Sequence, residues 1–205
     1  MKYWPRKRMP LNGLLAMIVL AACSVGDATS PTSSLSGAVQ RQLLSNGEVT
    51  QVALEVAPAN AQSKVIDIDD DATAWYYFGP HKLYVLGGSL CTPSSPYGPQ
   101  YWLQSCSRSN DDAYVTVKWW TDSQGYARVL FTPDMRFAPA KPATLYLKDA
   151  LAATRSSSAV LYCVDGTTIC INESAVEPAL ATQRNASTGW VWRLIRHFSG
   201  YNVWA

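Results

Sequence analysis

Apolar and polar residues alternate along most of the chain after residue 63. Eight short runs show this period of two, are rich in β-branched and aromatic residues, and are separated by Gly, Pro and Ser. In one of them, Val115, Val117 and Trp119 fall on one face. The pattern predicts an all-β domain, an antiparallel β-sandwich or β-barrel of about seven to nine strands. The runs are 64–68, 75–78, 82–86, 114–119, 126–131, 144–148, 159–163 and 190–196.

One later segment, 173–183, has a weak helical spacing, and Pro178 interrupts it. The amino-terminal segment has a different organisation, with the three parts of a secretory signal. Residues 2–8 are basic, 14–22 form a short apolar run, and small residues precede Cys23. The apolar run is shorter than the ~20 residues that cross a bilayer as a helix, so we predict an exported protein without a transmembrane helix.

The end of this signal, Leu20-Ala21-Ala22-Cys23, resembles the lipobox of bacterial lipoproteins. The resemblance implies cleavage before Cys23, a diacylglyceryl thioether on its sulfur and an acyl chain on its amino group. In this class, a serine after the cysteine (here Ser24) accompanies sorting to the outer membrane. The resemblance therefore implies contact with the membrane through a lipid anchor and an outer-membrane location, with the periplasmic side favoured over the cell surface. Two or more acyl chains, at ~0.8 kcal/mol per buried methylene, anchor a protein stably.

Composition and charge exclude two broad classes of protein. With 48% hydrophobic and 16% charged residues, the chain is not wholly disordered. Four of its 17 basic residues lie in the predicted signal, and the remainder carries 15 acidic residues, so the formal charge of +2 becomes negative after cleavage. A nucleic-acid-binding domain normally presents a basic surface, so nucleic acid is not an expected partner.

The residues after the signal predict a tether followed by one domain. Residues 24–34 are small and polar and bury too little apolar surface to offset the entropy cost of ordering. We therefore expect a signal peptide at 1–22, the lipidated cysteine and a flexible tether at 23–63, and a globular domain at 64–205. Within the tether, 35–44 has the spacing of a short helix and 49–56 that of an edge strand.

Four cysteines follow the lipidated one, and an even number in an exported chain predicts disulfides. Their spacing favours two local pairs over the other connectivities, and none has the C-x2-C spacing of a zinc site. Asp-Gly within 165–168 predicts a hairpin turn that sets the last two cysteines opposite each other. The predicted disulfides are Cys91–Cys106 and Cys163–Cys170.

The loop closed by the first disulfide is a candidate binding surface, because exposed aromatic residues are typical of protein interfaces. Adjacent Trp119 and Trp120 point to opposite faces of a strand, which leaves one of them toward solvent. The alternative is that the loop aromatics fold back over an open end of the domain and that another segment covers the sheet face. The sequence leaves both alternatives open. The candidate residues are Tyr97, Tyr101, Trp102 and Trp120.

Catalysis has no positive support in the sequence. There is no G-x-S-x-G motif, P-loop or dinucleotide fingerprint. His81 is expected at a turn and His197 in or beside a strand. These observations do not exclude an enzyme, because the paired carboxylates of glycosidases come from distant positions.

The densest acidic cluster is a weak candidate for a metal site. Carboxylate oxygens bind hard ions such as calcium, but the EF-hand pattern fails here at Ala72 and Phe78. An acidic strand end or turn is the simpler interpretation, so we expect neither a metal nor a cofactor. The weak candidates are Asp67, Asp69 and Asp71.

Two functional hypotheses follow. The preferred one is a non-catalytic lipoprotein that binds another envelope protein, as an assembly component or as an inhibitor or immunity factor. The alternative is a module that binds or cleaves glycan or peptidoglycan, suggested by aromatic residues among scattered acids. The oligomeric state is left open by the sequence.

Overall fold

The computed structural model describes residues 49–51, 57–164 and 169–204, which form two antiparallel β-sheets and one helical turn, α1 (Ala150–Ala153). Short 3-10 turns lie at Pro99–Tyr101, Glu173–Ala175 and Pro178–Leu180. The strands are β1 (Val49–Gln51), β2 (Gln62–Ile68), β3 (Ala74–Phe78), β4 (His81–Val85), β5 (Ala113–Thr121), β6 (Ala127–Thr132), β7 (Ala143–Lys148), β8 (Ala159–Cys163), β9 (Ile169–Ile171), β10 (Gln183–Asn185), β11 (Trp190–Ile195) and β12 (Gly200–Trp204).

The two sheets form a β-sandwich, which confirms the predicted fold class. One sheet has the strand order β1-β9-β8-β12-β6-β5-β2, and the other has the order β10-β11-β7-β4-β3. Phe78 of the five-stranded sheet lies 5.9 Å from Trp119 and 5.8 Å from Phe131 of the seven-stranded sheet, measured between ring centroids. Burying each such side chain contributes roughly 1.5–3 kcal/mol to the core.

The hairpin of β3 and β4 depends on Gly79. Its φ of 53° is in the left-handed region, and a Cβ at this position would overlap the indole of Trp119. Glycine adopts this conformation without the steric cost that other residues have. The tight turn sets the register of the hairpin, in which Trp75 pairs with Tyr84 and Tyr77 with Lys82.

Each of the eight predicted runs overlaps one observed strand, but the described residues contain more strands than the seven to nine expected. The three-residue strands β9 and β10 are too short to show a period of two. β12 lies between β8 and β6, so the chain end pairs within the sheet. The weak helical spacing at 173–183 corresponds to two 3-10 turns, because Pro178 has no N–H to continue a helix.

Two strands lie near the predicted junction of tether and domain, and β1 overlaps the edge strand expected at 49–56. β1 falls within the expected tether and pairs with β9 at the edge of the seven-stranded sheet, and β2 begins at Gln62, shortly before the expected domain start. The predicted signal peptide, the lipid site at Cys23 and the possible helix at 35–44 lie outside the described residues.

Both predicted disulfides are present. Cys91 is bonded to Cys106, and Cys163 to Cys170. The second pair lies in register between β8 and β9, as the hairpin pattern predicted. None of the helical segments in the described ranges has the length and apolar character needed to span a membrane.

Candidate functional site

The outer face of the five-stranded sheet carries the largest set of solvent-facing aromatic side chains that we find among the described residues. Alternation along each strand turns one set of side chains into the core and the other outward. We call the outward set the aromatic face. It consists of six aromatic residues (Trp75, Tyr77, Tyr84, Tyr146, Trp190 and Trp192), two lysines (Lys82 and Lys148), and Thr144, Gln183, Asn185 and Leu194.

The rings form a continuous cluster because their strands are neighbours. Trp75 lies 4.8 Å from Tyr84 and 5.2 Å from Tyr146, between ring centroids. Tyr146 in turn stacks on Trp192 at 5.8 Å and meets Trp190 edge-on at 6.3 Å. Burial among these rings, and then the nearby Tyr84, raise the pKa of the Tyr146 hydroxyl above its ordinary value. The hydroxyl therefore stays protonated at neutral pH.

Lys82 lies at the centre of the aromatic face. Its ammonium is 4.4 Å from the Trp75 ring centroid and 5.0 Å from those of both Tyr146 and Trp190. The Lys148 ammonium is 5.3 Å from the same Trp190 centroid. Each of these cation–π contacts is worth about 0.5–1 kcal/mol at an exposed site. They hold two positive charges beside one indole.

The aromatic face is open to solvent at one edge and partly covered elsewhere. Tyr77 is 59% exposed and Trp75 40% exposed, while the other aromatic residues of the face are half-buried. No carboxylate occupies any of its outward positions. The surface therefore combines apolar area with positive charge, which suits binding through contact and charge complementarity.

The predicted binding loop is attached to the domain. Arg136 donates to the carbonyls of Tyr101 and Gln104 (2.8 Å to the latter). Tyr97 donates to the Phe198 carbonyl at 2.6 Å, and Trp102 is 8% exposed. The side chains of Tyr97 and Trp102 thus pack back on the domain.

The structure does not bring the four predicted aromatic residues together. Trp102 stacks on His197 in the interior with ring centroids 3.9 Å apart, so it is a core residue. Trp120 is half-buried on the outer face of the seven-stranded sheet, where it is the cross-strand partner of Arg128. A binding role for Tyr97, Tyr101 and Trp120 stays a prediction.

A buried polar network lies next to Trp102. His197 is fully buried, with its Nε2 3.3 Å from Glu173 Oε1 and its Nδ1 3.0 Å from the Tyr97 hydroxyl. Glu173 also accepts a hydrogen bond of 2.7 Å from Arg193, which is 1% exposed. Burial alone would raise the pKa of the Glu173 carboxyl, but Arg193 and His197 lower it below its ordinary value. These enclosed groups satisfy one another and act as structural contacts.

The other histidine is likewise a structural residue. His81 is the first residue of β4 and is 4% exposed, and its Nδ1 accepts a hydrogen bond of 3.1 Å from the Lys148 N–H. Burial lowers its pKa to about 4. His81 is therefore neutral at pH 7 and supports the strand that carries Lys148.

The weak metal candidates do not converge. Asp67 points outward opposite Tyr114, and Asp69 Oδ1 accepts hydrogen bonds from the N–H groups of Asp71 and Ala72. Asp71 pairs with Arg108 at 2.5 Å. Within the described ranges, no three His, Cys, Asp or Glu residues are grouped so as to hold a metal ion.

Sequence reasoning missed the aromatic face, although its signal was present. The strand predictions already placed Trp190 and Trp192 on one side, and the same alternation pairs Trp75 with Tyr77. The sequence does not give the strand order, which makes β11, β7, β4 and β3 neighbours. Comparisons of the chain with protein-family models, curated proteins and solved structures found no match.

Proposed function

We propose that this protein is an outer-membrane lipoprotein, anchored through Cys23, whose β-sandwich binds another envelope protein without catalysing a reaction. The observation that carries the proposal is the aromatic face, which presents six aromatic side chains, five of them in ring contact, with two lysines on one side of the sheet. Tryptophan and tyrosine are enriched among the residues that dominate protein–protein binding energy. The disulfides fit an oxidising compartment such as the periplasm.

The geometry favours a protein over a glycan as the ligand. Sugar rings stack on exposed ring faces, whereas here the Lys82 ammonium lies over three of the rings. Trp75 is inclined by 43° to Tyr84 and by 54° to Tyr146, so these rings do not form one flat platform. An uneven, partly cationic surface is better matched by the side chains of a protein.

One observation supports testing the glycan alternative. Gln183 is in register with Trp192, and Asn185 with Trp190, so amide groups lie at the edge of the aromatic face. Amides beside aromatic rings are groups that hydrogen-bond sugar hydroxyls. Retention on isolated peptidoglycan is therefore part of the test.

The test is capture of the partner after chemical crosslinking in intact cells. The binding variant replaces Trp75 and Tyr77 by alanine, and the matched control replaces Val65 and Tyr114, which are 58% and 68% exposed on the other sheet. We expect wild type and the control to recover the same envelope protein and the binding variant to lose it.

Three results would overturn the proposal. They are recovery of no specific protein, equal recovery with the binding variant, and peptidoglycan retention that Trp75→Ala and Tyr77→Ala abolish. The last of these would establish the glycan alternative.

A further inference from the structure

The two lysines of the aromatic face differ from the core arginines in how their charge is balanced. Arg193 is paired with Glu173 at 2.7 Å, and Arg196 with Glu177. Within the described ranges, no carboxylate forms a salt bridge with Lys82 or Lys148. The ammonium groups of both lysines contact aromatic rings of the face, and Lys148 also donates to the Thr188 carbonyl.

The ammonium groups of Lys82 and Lys148 can therefore donate hydrogen bonds to a ligand. An ammonium group has three donors and no acceptor. Lys82 is half-buried among the rings, where water is partly excluded, and Lys148 is exposed with its ammonium also near the Trp190 ring. Carboxylates that reach these ammonium groups form charge-assisted hydrogen bonds, which are stronger than neutral ones.

We propose that the aromatic face binds an acidic protein surface, whose carboxylates engage Lys82 and Lys148 beside Trp190. This inference rests on the proposed function and names the chemistry of its partner. The absence of carboxylates from the outward positions of the face removes repulsion against such a ligand. The partner's apolar side chains then contact Trp75 and Tyr77, the most exposed rings.

A protein surface fits this face better than a lipid bilayer. Interfacial binding to a membrane buries apolar side chains ~5–10 Å into the headgroup and acyl boundary. Here Tyr146 and Trp192 stack on each other and are half-buried, and the half-buried Lys82 lies among the rings. The surface is suited to contact and charge pairing more than to insertion.

The test uses defined probes on the full-length protein, with tryptophan fluorescence and the indole N–H signals in NMR spectra as readouts. The probes are a glutamate–tyrosine copolymer, a lysine–tyrosine copolymer, N-acetylchitotetraose, and vesicles of phosphatidylethanolamine and phosphatidylglycerol. We expect binding of the acidic copolymer and none of the basic one, with the largest shift at the Trp190 indole.

Matched variants assign the binding to the two lysines. Lys82→Gln with Lys148→Gln is expected to weaken binding of the acidic copolymer roughly ten-fold, and Lys82→Arg with Lys148→Arg to retain it. Lys118→Gln removes an exposed charge on the other sheet and is expected to leave the affinity unchanged.

Four results would overturn the inference. They are an affinity that the glutamine variants do not change, vesicle binding that shifts the Trp190 indole signal and is lost with Trp75→Ala and Tyr77→Ala, a preference for N-acetylchitotetraose, and self-association through the face in place of probe binding. Failure of the two proposals is distinguishable. If Trp75→Ala with Tyr77→Ala abolishes capture of the envelope partner but the lysine variants do not, the binding function stands and the acidic partner is wrong.

Discussion

Replacing Glu173 by glutamine removes one charge from a deeply buried ion pair of the fold. Arg193 projects from β11 into the interior, where it donates to Glu173 Oε2 at 2.7 Å and to the carbonyls of Val160 and Leu194 at 2.8 and 3.0 Å. Glutamine keeps the size of the side chain and one acceptor. It leaves the guanidinium in the core without its counter-charge.

The expected cost follows from burial. Removing one partner of a buried ion pair costs about 3–5 kcal/mol, and the retained amide acceptor places Glu173→Gln near the lower end, ~3 kcal/mol. The control is Glu177→Gln, whose pair with Arg196 has side chains 22% and 10% exposed. Because that pair is less deeply buried, we expect a smaller loss, about 1–2 kcal/mol. The free energy of unfolding, measured by urea titration at pH 7 under oxidising conditions, compares the two variants.

The pH dependence gives a second readout. Because folding lowers the pKa of Glu173 below 4.5, its ionised form stabilises the fold above that pH, and this contribution is lost as the pH falls below it. The stability difference between wild type and Glu173→Gln should therefore be smaller below that pKa than at pH 7. A loss below about 1 kcal/mol at pH 7, or a difference that does not change in acid, would refute the reasoning.

Three further predictions concern stability. Burial lowers the pKa of His81 from 6.5 to about 4, so the free energy of unfolding of wild type should fall by up to ~3 kcal/mol as the pH drops from 6.5 to 4. In urea titrations over the same range, His81→Gln should show a smaller fall. In the same assay, Trp102→Ala should lower the free energy of unfolding by about 3–5 kcal/mol, and replacement of the exposed Trp75 by alanine should lower it by less than ~1 kcal/mol. Equal losses would contradict the assignment of Trp102 to the core. Replacing Cys91 and Cys106 by alanine opens a loop of 15 residues and should lower the free energy of unfolding by about 3 kcal/mol. An unchanged urea unfolding midpoint would contradict this prediction.

The strands were predictable because each buries one set of alternating side chains. In β5, Val115 and Val117 are buried between the exposed Tyr114 and Lys118, and the pattern shows this directly. The second disulfide was predictable for a related reason, since a short hairpin fixes which cysteines face each other. Both features depend on residues close together in the chain.

The candidate site was not predictable, because it depends on contacts between distant residues. β3 is aromatic at four consecutive positions, so its sequence does not distinguish the buried Phe78 from the exposed Tyr77. The sequence left open whether Trp102 belongs to a binding surface or folds back over the domain, and only its stacking on His197, far along the chain, places it in the core. Lys82 acquires its position over Trp75, Tyr146 and Trp190 from the order of the strands.

Site-specific photocrosslinking in intact cells tests the docking role of the aromatic face most directly. A benzoylphenylalanine at Tyr77, which is 59% exposed on the face, is compared with one at Tyr114, which is 68% exposed on the other sheet. We predict one discrete crosslinked protein from position 77, absent from position 114 and lost when Trp190 is replaced by alanine. No adduct at position 77, or the same adduct from both positions, would contradict the account.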